Sequence, residues 1–215
     1  MQRRHILSIG VVASLGGCSD IFFGDGSSDA EPTENHEQDP STESQTSNGV
    51  DLDVAQSDLQ GIQLTTADLS SGYILAGEEI VSVEELDETE NSELVESGLT
   101  VFHERAFEYD GGSTEEPDNI FSSVALYESS TAVENGQEEL TQLVEQENGS
   151  INQISINNAE ISFVGEYTTA DDRHHGIAYS AVGEFEVYVI TSDTERHFST
   201  LARNLVGVVL DRIEN

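Results

Sequence analysis

Beyond about Ile62 the chain breaks into short apolar runs separated by turn signals, and in two places the apolar period lengthens to that of a helix. Tyr73 to Val83 has strand composition, whereas Glu84 to Glu96 is acidic and reads as a short helix or an irregular excursion. Leu99 to Tyr109 and Ile120 to Tyr127 alternate and flank Asp110-Gly111-Gly112-Ser113-Thr114-Glu115-Glu116-Pro117, turn chemistry for a wide antiparallel hairpin. Thr131 and Glu134 then stand at capping-box spacing. Val133, Leu140, Leu143 and Val144 share one face, and Asn148-Gly149 supplies a stop.

Tight reversals follow. The clearest is Asn157-Asn158 between Ile154-Ser155-Ile156 and Ile161-Ser162-Phe163, because asparagine tolerates the positive φ of a primed turn. Gly183-Glu184 joins Gly176 to Val182 with Phe185 to Thr191, whose alternate residues Phe185, Val187 and Val189 line one face. Thr168 to His175 reads as a polar loop. Ser192 and Glu195 repeat the capping-box spacing, and Phe198, Leu201, Leu205, Val208, Val209 and Ile213 recur at three and four residues, opposite Arg196, Arg203, Asn204 and Asp211. The predicted order is β-β-β-α-β-β-β-β-α. It defines an α+β domain, an antiparallel sheet of about six or seven strands packed by two helices, mostly on one face.

Ahead of this domain, 19 to about 60 is rich in Ser, Thr, Asp, Glu, Gln and Gly, contains Pro32 and Pro40, and has no aromatic residue after Phe23. Such composition buries too little apolar surface to offset its ordering entropy. It predicts a disordered acidic tether over 18–60, leaving 61–215 as the globular domain. Residues 2 to 17 place Arg3-Arg4 before an apolar run of about ten residues, too short to span a bilayer, which needs about 20. This is signal-peptide layout, with 1–17 removed before Cys18.

Charge adds the solvent. The chain has 43 acidic residues against 7 basic ones, all arginine, for a formal net charge of -36. Near-molar salt shrinks the Debye length to about 3 Å and relieves the self-repulsion such a charge imposes. The same acidity argues against nucleic acid as a partner. Cys18 is the single cysteine, so no thiol remains for a disulfide, a metal or a nucleophile once it is lipidated.

Arg3-Arg4 followed by Ile6-Leu7 resembles a twin-arginine signal, although Gln2 and His5 depart from its commonest form. Leu15-Gly16-Gly17-Cys18 is similar to a lipobox, in which the cysteine thiol accepts diacylglycerol. Together they resemble haloarchaeal surface lipoproteins. That resemblance implies export and anchoring to the outer face of the cytoplasmic membrane by two acyl chains. The domain itself resembles the PsbP-like superfamily from about Leu64 to Glu214, in element order, the Gly183-Glu184 hairpin and the terminal helix. This resemblance implies an extracytoplasmic or accessory binding protein rather than an enzyme.

Catalytic signatures are few. G-x-S-x-G, H-E-x-x-H, the Walker pattern, G-x-G-x-x-G and calcium-loop spacing are all absent. Asp171-Asp172-Arg173-His174-His175 is the most suggestive cluster, with carboxylates and imidazoles suited to a divalent transition metal. In a strand its adjacent histidines point to opposite faces, so only His174 or His175 joins Asp171 or Asp172, with His103 or His197 as a distant third ligand. The alternative is a solvated loop. Arg105, on one strand face with Val101, His103 and Phe107, either pairs with a carboxylate or anchors a ligand. The tyrosines Tyr109, Tyr127, Tyr167, Tyr179 and Tyr188 suit packing or an aromatic groove. Asn148-Gly149-Ser150 is an N-glycosylation pattern. The function expected is a non-catalytic surface module that binds an envelope protein or a small ligand, with no cofactor beyond the lipid on Cys18. The alternatives are a hydrolase, metal-dependent or otherwise, built on Asp171, His174 and His175, and a structural glycosylated surface protein.

Overall fold

The computed structural model describes residues 58–83, 97–112, 115–157, 159 and 161–214. Arg3, Arg4, Cys18, residues 19–57 of the expected tether and the acidic stretch 84–96 lie outside them, whereas 58–60, expected to belong to the tether, are helical and place Leu59 in the core. A 3-10 turn, Thr66–Asp68, precedes β1 (Tyr73–Ser82), β2 (Leu99–Tyr109), β3 (Asn119–Tyr127) and α1 (Ser130–Gln146). There follow β4 (Ser150–Gln153), β5 (Ile161–Thr168), β6 (His174–Val182), β7 (Phe185–Asp193) and α2 (Ser199–Ile213). The strands form one sheet in the order β1-β2-β3-β7-β6-β5-β4, antiparallel at every junction. Two meanders, β1 to β3 and β4 to β7, are thus joined through α1 and meet where β7 pairs with β3. The β6–β7 hairpin turns tightly because Gly183, at φ 58, takes the positive φ that a primed two-residue turn requires.

The two helices cover opposite faces, which corrects the expectation that both lie mostly on one. Ala202, Leu205, Val206, Val209 and Leu210 of α2 pack with Val124, Ala178, Val187 and Val189 of the sheet. Val133, Leu140 and Val144 of α1 are buried toward the other side, where Tyr179 donates a hydrogen bond to the Val133 carbonyl. Alternation explains the division: Val187 and Val189 face α2, while Glu186, Tyr188 and Ile190 face the α1 side. Both halves of β7 are therefore buried, and one-sided reading of Phe185, Val187 and Val189 missed the second layer. Burial of each large aliphatic side chain contributes about 1.5–3 kcal/mol.

Three local expectations change for identifiable reasons. The cap of α1 is Ser129, whose hydroxyl accepts from the Ala132 amide, so Thr131 lies inside the helix. Ser192 and Glu195 do not begin α2: Asp193 accepts from the Glu195 and Arg196 amides at 2.7 and 3.1 Å, holding a turn that delays the helix to Ser199. Asn157 does adopt φ 50, but Asn158, the other half of the expected reversal, lies outside the described residues, and β4 ends at Gln153, before Ile154, while β5 begins at Ile161. The Asn157 side-chain nitrogen donates to the Gly207 carbonyl and the Asp211 carboxylate, tying this residue to α2.

On the α2 face, the segment 59–68 covers part of the sheet that the helix does not reach. Leu59 and Leu64 join the core, and Gln63 is fully buried. The Gln63 amide donates to the His103 and Ser122 carbonyls at 2.7 and 3.2 Å, and its oxygen accepts from the Ser122 hydroxyl at 2.6 Å. Arg212 of α2 donates to the Gln63 carbonyl at 2.8 Å and to Asp68 at 2.6 Å. A buried amide so placed has its polar atoms satisfied, which removes the penalty of burying it.

Candidate functional site

The expected loop Thr168–His175, which carries the Asp171–His175 cluster, is shorter in fact, because β5 runs to Thr168 and β6 begins at His174. Only 169–173 turns, closed by the Thr169 amide to the Arg173 carbonyl at 2.9 Å and by Asp172 at φ 63. As strand residues, His174 and His175 point to opposite faces. His175 is buried on the α1 side, stacked on Tyr167 with centroids 4.7 Å apart and bonded through Nδ1 to the Ser192 hydroxyl at 2.8 Å. Burial, reinforced by Arg173, depresses its pKa to about 4, so the ring is neutral.

Asp171 accepts from the Thr169 hydroxyl at 2.5 Å, and that bond holds its carboxyl below the usual range. Arg173 reaches Asp118 at 3.4 Å. The set Asp171, His174 and His175 is therefore not assembled. Among the described residues no three His, Cys, Asp or Glu side chains gather as a metal cluster. His174 instead meets His197, from the turn before α2, with ring centroids 4.8 Å apart and planes at 75°. The Thr168 hydroxyl stands between them, 3.1 Å from His174 Nδ1 and 3.3 Å from His197 Nε2. His197 Nε2 is also 3.1 Å from the Tyr167 carbonyl. Beside them the Ser199 hydroxyl donates to Glu166, and β6 approaches α2 so closely that a Cβ on Gly176 would lie 2.4 Å from the Ser199 nitrogen.

Arg105 is committed to structure, which corrects its candidacy as a ligand anchor. Its Nε and Nη2 donate to Glu78 Oε1 at 2.9 and 2.6 Å, and Nη1 donates to the Leu64 carbonyl at 2.7 Å. The same Glu78 oxygen accepts from His103 Nε2 at 2.9 Å. Since a carboxylate oxygen only accepts, Nε2 carries the proton, and burial keeps His103 below its usual pKa. His103 is thereby engaged away from the His174 corner.

Two buried acids escaped the sequence reading. Glu104 of β2 is pushed up to about 7 by burial and by Glu79 opposite it. Glu186 of β7 is pushed up to about 8, chiefly by burial, with Glu139 of α1 adding to the effect and Tyr179 and Tyr127 opposing it. Glu186 Oε2 has no hydrogen-bond partner and lies where a Cβ on Gly136 of α1 would sit, 2.0 Å away. The available signal was an acid inside an apolar strand run, Phe185-Glu186-Val187-Tyr188-Val189. Tyr127, Tyr167, Tyr179 and Tyr188 are buried packing residues, while Tyr109 is partly exposed. Asn148, at φ 56, is exposed in the turn after α1.

No family model and no curated protein matches this chain. Among solved structures it is similar to the extracellular domain of PknH from Mycobacterium tuberculosis, with a TM-score of 0.51 and 10% sequence identity. The likeness covers 74% of this chain and 96% of that domain, and at this identity it is one of fold. Among the described residues no helix is long and apolar enough to cross a membrane.

Proposed function

We propose that the chain is an exported lipoprotein of a halophile, held by lipid on Cys18 at the outer face of the cytoplasmic membrane. Its α+β domain serves there as a non-catalytic binding or accessory module. The observation that carries this reading is the address itself: Arg3-Arg4, a short apolar run, and Leu15-Gly16-Gly17 directly before the single cysteine. Two acyl chains on that thiol give a stable hold where one gives only a marginal one. The 43 acidic residues suit a near-molar salt medium. The PsbP-like resemblance of the element order supports an accessory role, and the likeness of fold to an extracellular domain is in keeping with export.

The sheet supplies a surface for such a role. No described strand pairs with the outer edge of β1, where Ile74 and Leu75 are 52% and 45% exposed beside a register shift. An edge of this kind recognises an extended segment through backbone hydrogen bonds and apolar contacts. The reading is tested by intact mass and detergent partitioning of the mature protein from membranes in high salt, beside Cys18→Ser. A diacylglycerol mass on wild type, with detergent partitioning lost in Cys18→Ser, supports it. Both proteins remaining aqueous and unmodified would end the anchor proposal. For the binding role, a photocrosslinker at Leu75 should capture one discrete surface partner, whereas a crosslinker at exposed Asp211 on α2 should not.

A further inference from the structure

The corner formed by the end of β5, the start of β6 and the entry to α2 gathers four donor atoms, from two strands joined by a five-residue turn and from a segment 29 residues beyond Thr168. We propose that His174 and His197, together with the Thr168 hydroxyl and the Tyr167 carbonyl, form a binding site for a divalent transition metal of the imidazole-preferring class, Cu2+, Ni2+ or Zn2+. The geometry of the donors carries this. Metal bonds of about 2.0–2.1 Å to imidazole nitrogen and oxygen place neighbouring ligands about 2.9–3.4 Å apart around the ion. Three successive separations here fall in that range: 3.1 Å from His174 Nδ1 to Thr168 Oγ1, 3.3 Å from Thr168 Oγ1 to His197 Nε2, and 3.1 Å from His197 Nε2 to the Tyr167 oxygen. The two rings stand at 75°, so their nitrogens approach the shared hydroxyl from different sides.

The proton inventory is compatible with loading. A carbonyl only accepts, so in the metal-free protein His197 Nε2 carries the hydrogen, and the Thr168 hydroxyl is free to donate to His174 Nδ1. To take an ion, His197 moves its proton to Nδ1 and Thr168 turns its hydrogen outward. Neither change alters net charge. Access distinguishes this pair from the other described histidines: His174 and His197 are partly exposed, whereas His103 and His175 are buried. Glu166, on the same face of β5 as Thr168, adds a carboxylate within the corner through its bond to Ser199. Imidazole nitrogens favour borderline transition ions over Ca2+ and Mg2+, which take oxygen shells.

The test titrates the full-length mature chain with Cu2+ in concentrated sodium sulfate, since chloride would compete for the ion, and reads nitrogen hyperfine splitting by electron paramagnetic resonance. The proposal expects one tight equivalent with two nitrogen ligands. It expects at least a tenfold loss of affinity in each of His174→Ala and His197→Ala, and none in His36→Ala, which removes the tether histidine. Should an alanine variant lose its wild-type circular dichroism, His174→Gln and His197→Gln give the reading in its place. Purely carboxylate-type spectra, or affinity unchanged in both the His174 and His197 variants, would overturn the site. Either result leaves the lipoprotein reading untouched, because that reading is judged on mass and partitioning.

Discussion

Replacing Glu186 with glutamine should stabilise the domain, and by an amount that grows with pH. The carboxyl is fully buried between β7 and α1, with its Oε2 unpartnered and its pKa pushed up to about 8 from an ordinary value of 4.5. A group raised in this way favours the folded state while both states are protonated, below about pH 4.5. As pH rises further, the unfolded chain ionises first and the folded state lags until about pH 8. Stability is therefore lost across that window at up to about 1.4 kcal/mol per pH unit. Between pH 5 and pH 8 the loss assigned to Glu186 is on the order of 3 kcal/mol. Glu186→Gln keeps the volume and removes the titration. The difference in unfolding free energy between variant and wild type should climb by that amount over the same range. The assay is urea unfolding at a series of pH values in concentrated salt, which screens the remaining acids. Far-UV circular dichroism is the natural probe, since the chain has no tryptophan. A difference that stays flat from pH 5 to pH 8 would refute the reasoning, as would a variant less stable than wild type at pH 8.

Further predictions concern the packing around these groups. Glu104→Gln should show the same sign over a window ending near pH 7, its own raised value, and the double variant should have the flattest pH profile of the four proteins. Gly136→Ala should destabilise by about 1–3 kcal/mol in the same unfolding assay, although alanine is the better helix former, because its methyl group would meet Glu186 Oε2 at 2.0 Å and Tyr127 Oη at 3.1 Å. Arg105→Gln should cost about 2–3 kcal/mol and speed proteolysis between residues 59 and 68, since it releases Glu78 and the Leu64 carbonyl together. In an N-glycosylating host, Asn148→Gln should remove one glycan mass from the mature protein, and an unchanged mass would show the turn to be unused.

Features written locally in the chain were legible, and features made between distant residues were not. Gly183 marks its hairpin because the positive φ is the property of one residue, and Leu205 and Val209 mark the inner side of α2 by spacing alone. The capping-box spacing at Thr131 and at Ser192 misled for one reason: a cap depends on where the backbone leaves its extended state, and Ser192 is still within β7 and occupied by His175. The meeting of His174 with His197 depends on β6 and the α2 entry converging, which no run of neighbouring residues encodes. Arg105 illustrates the same limit. A partner for it was expected, but its two attachments lie 27 and 41 residues away in the chain.

The segment 59–68 matters in one more respect, which is mechanical. Tension entering the domain along its N-terminal chain arrives first at these residues. There Gln63 bonds to β2 and β3, Arg105 holds Leu64, and Arg212 holds Gln63 and Asp68. Load is thus shared at once among two interior strands and the terminal helix. A load shared in this way would have to break these attachments before it could peel β1 from the edge of the sheet. Two of the five arginines that follow Cys18 serve this junction, so a chain nearly without positive charge places part of what it has where a pull on residue 59 would be felt.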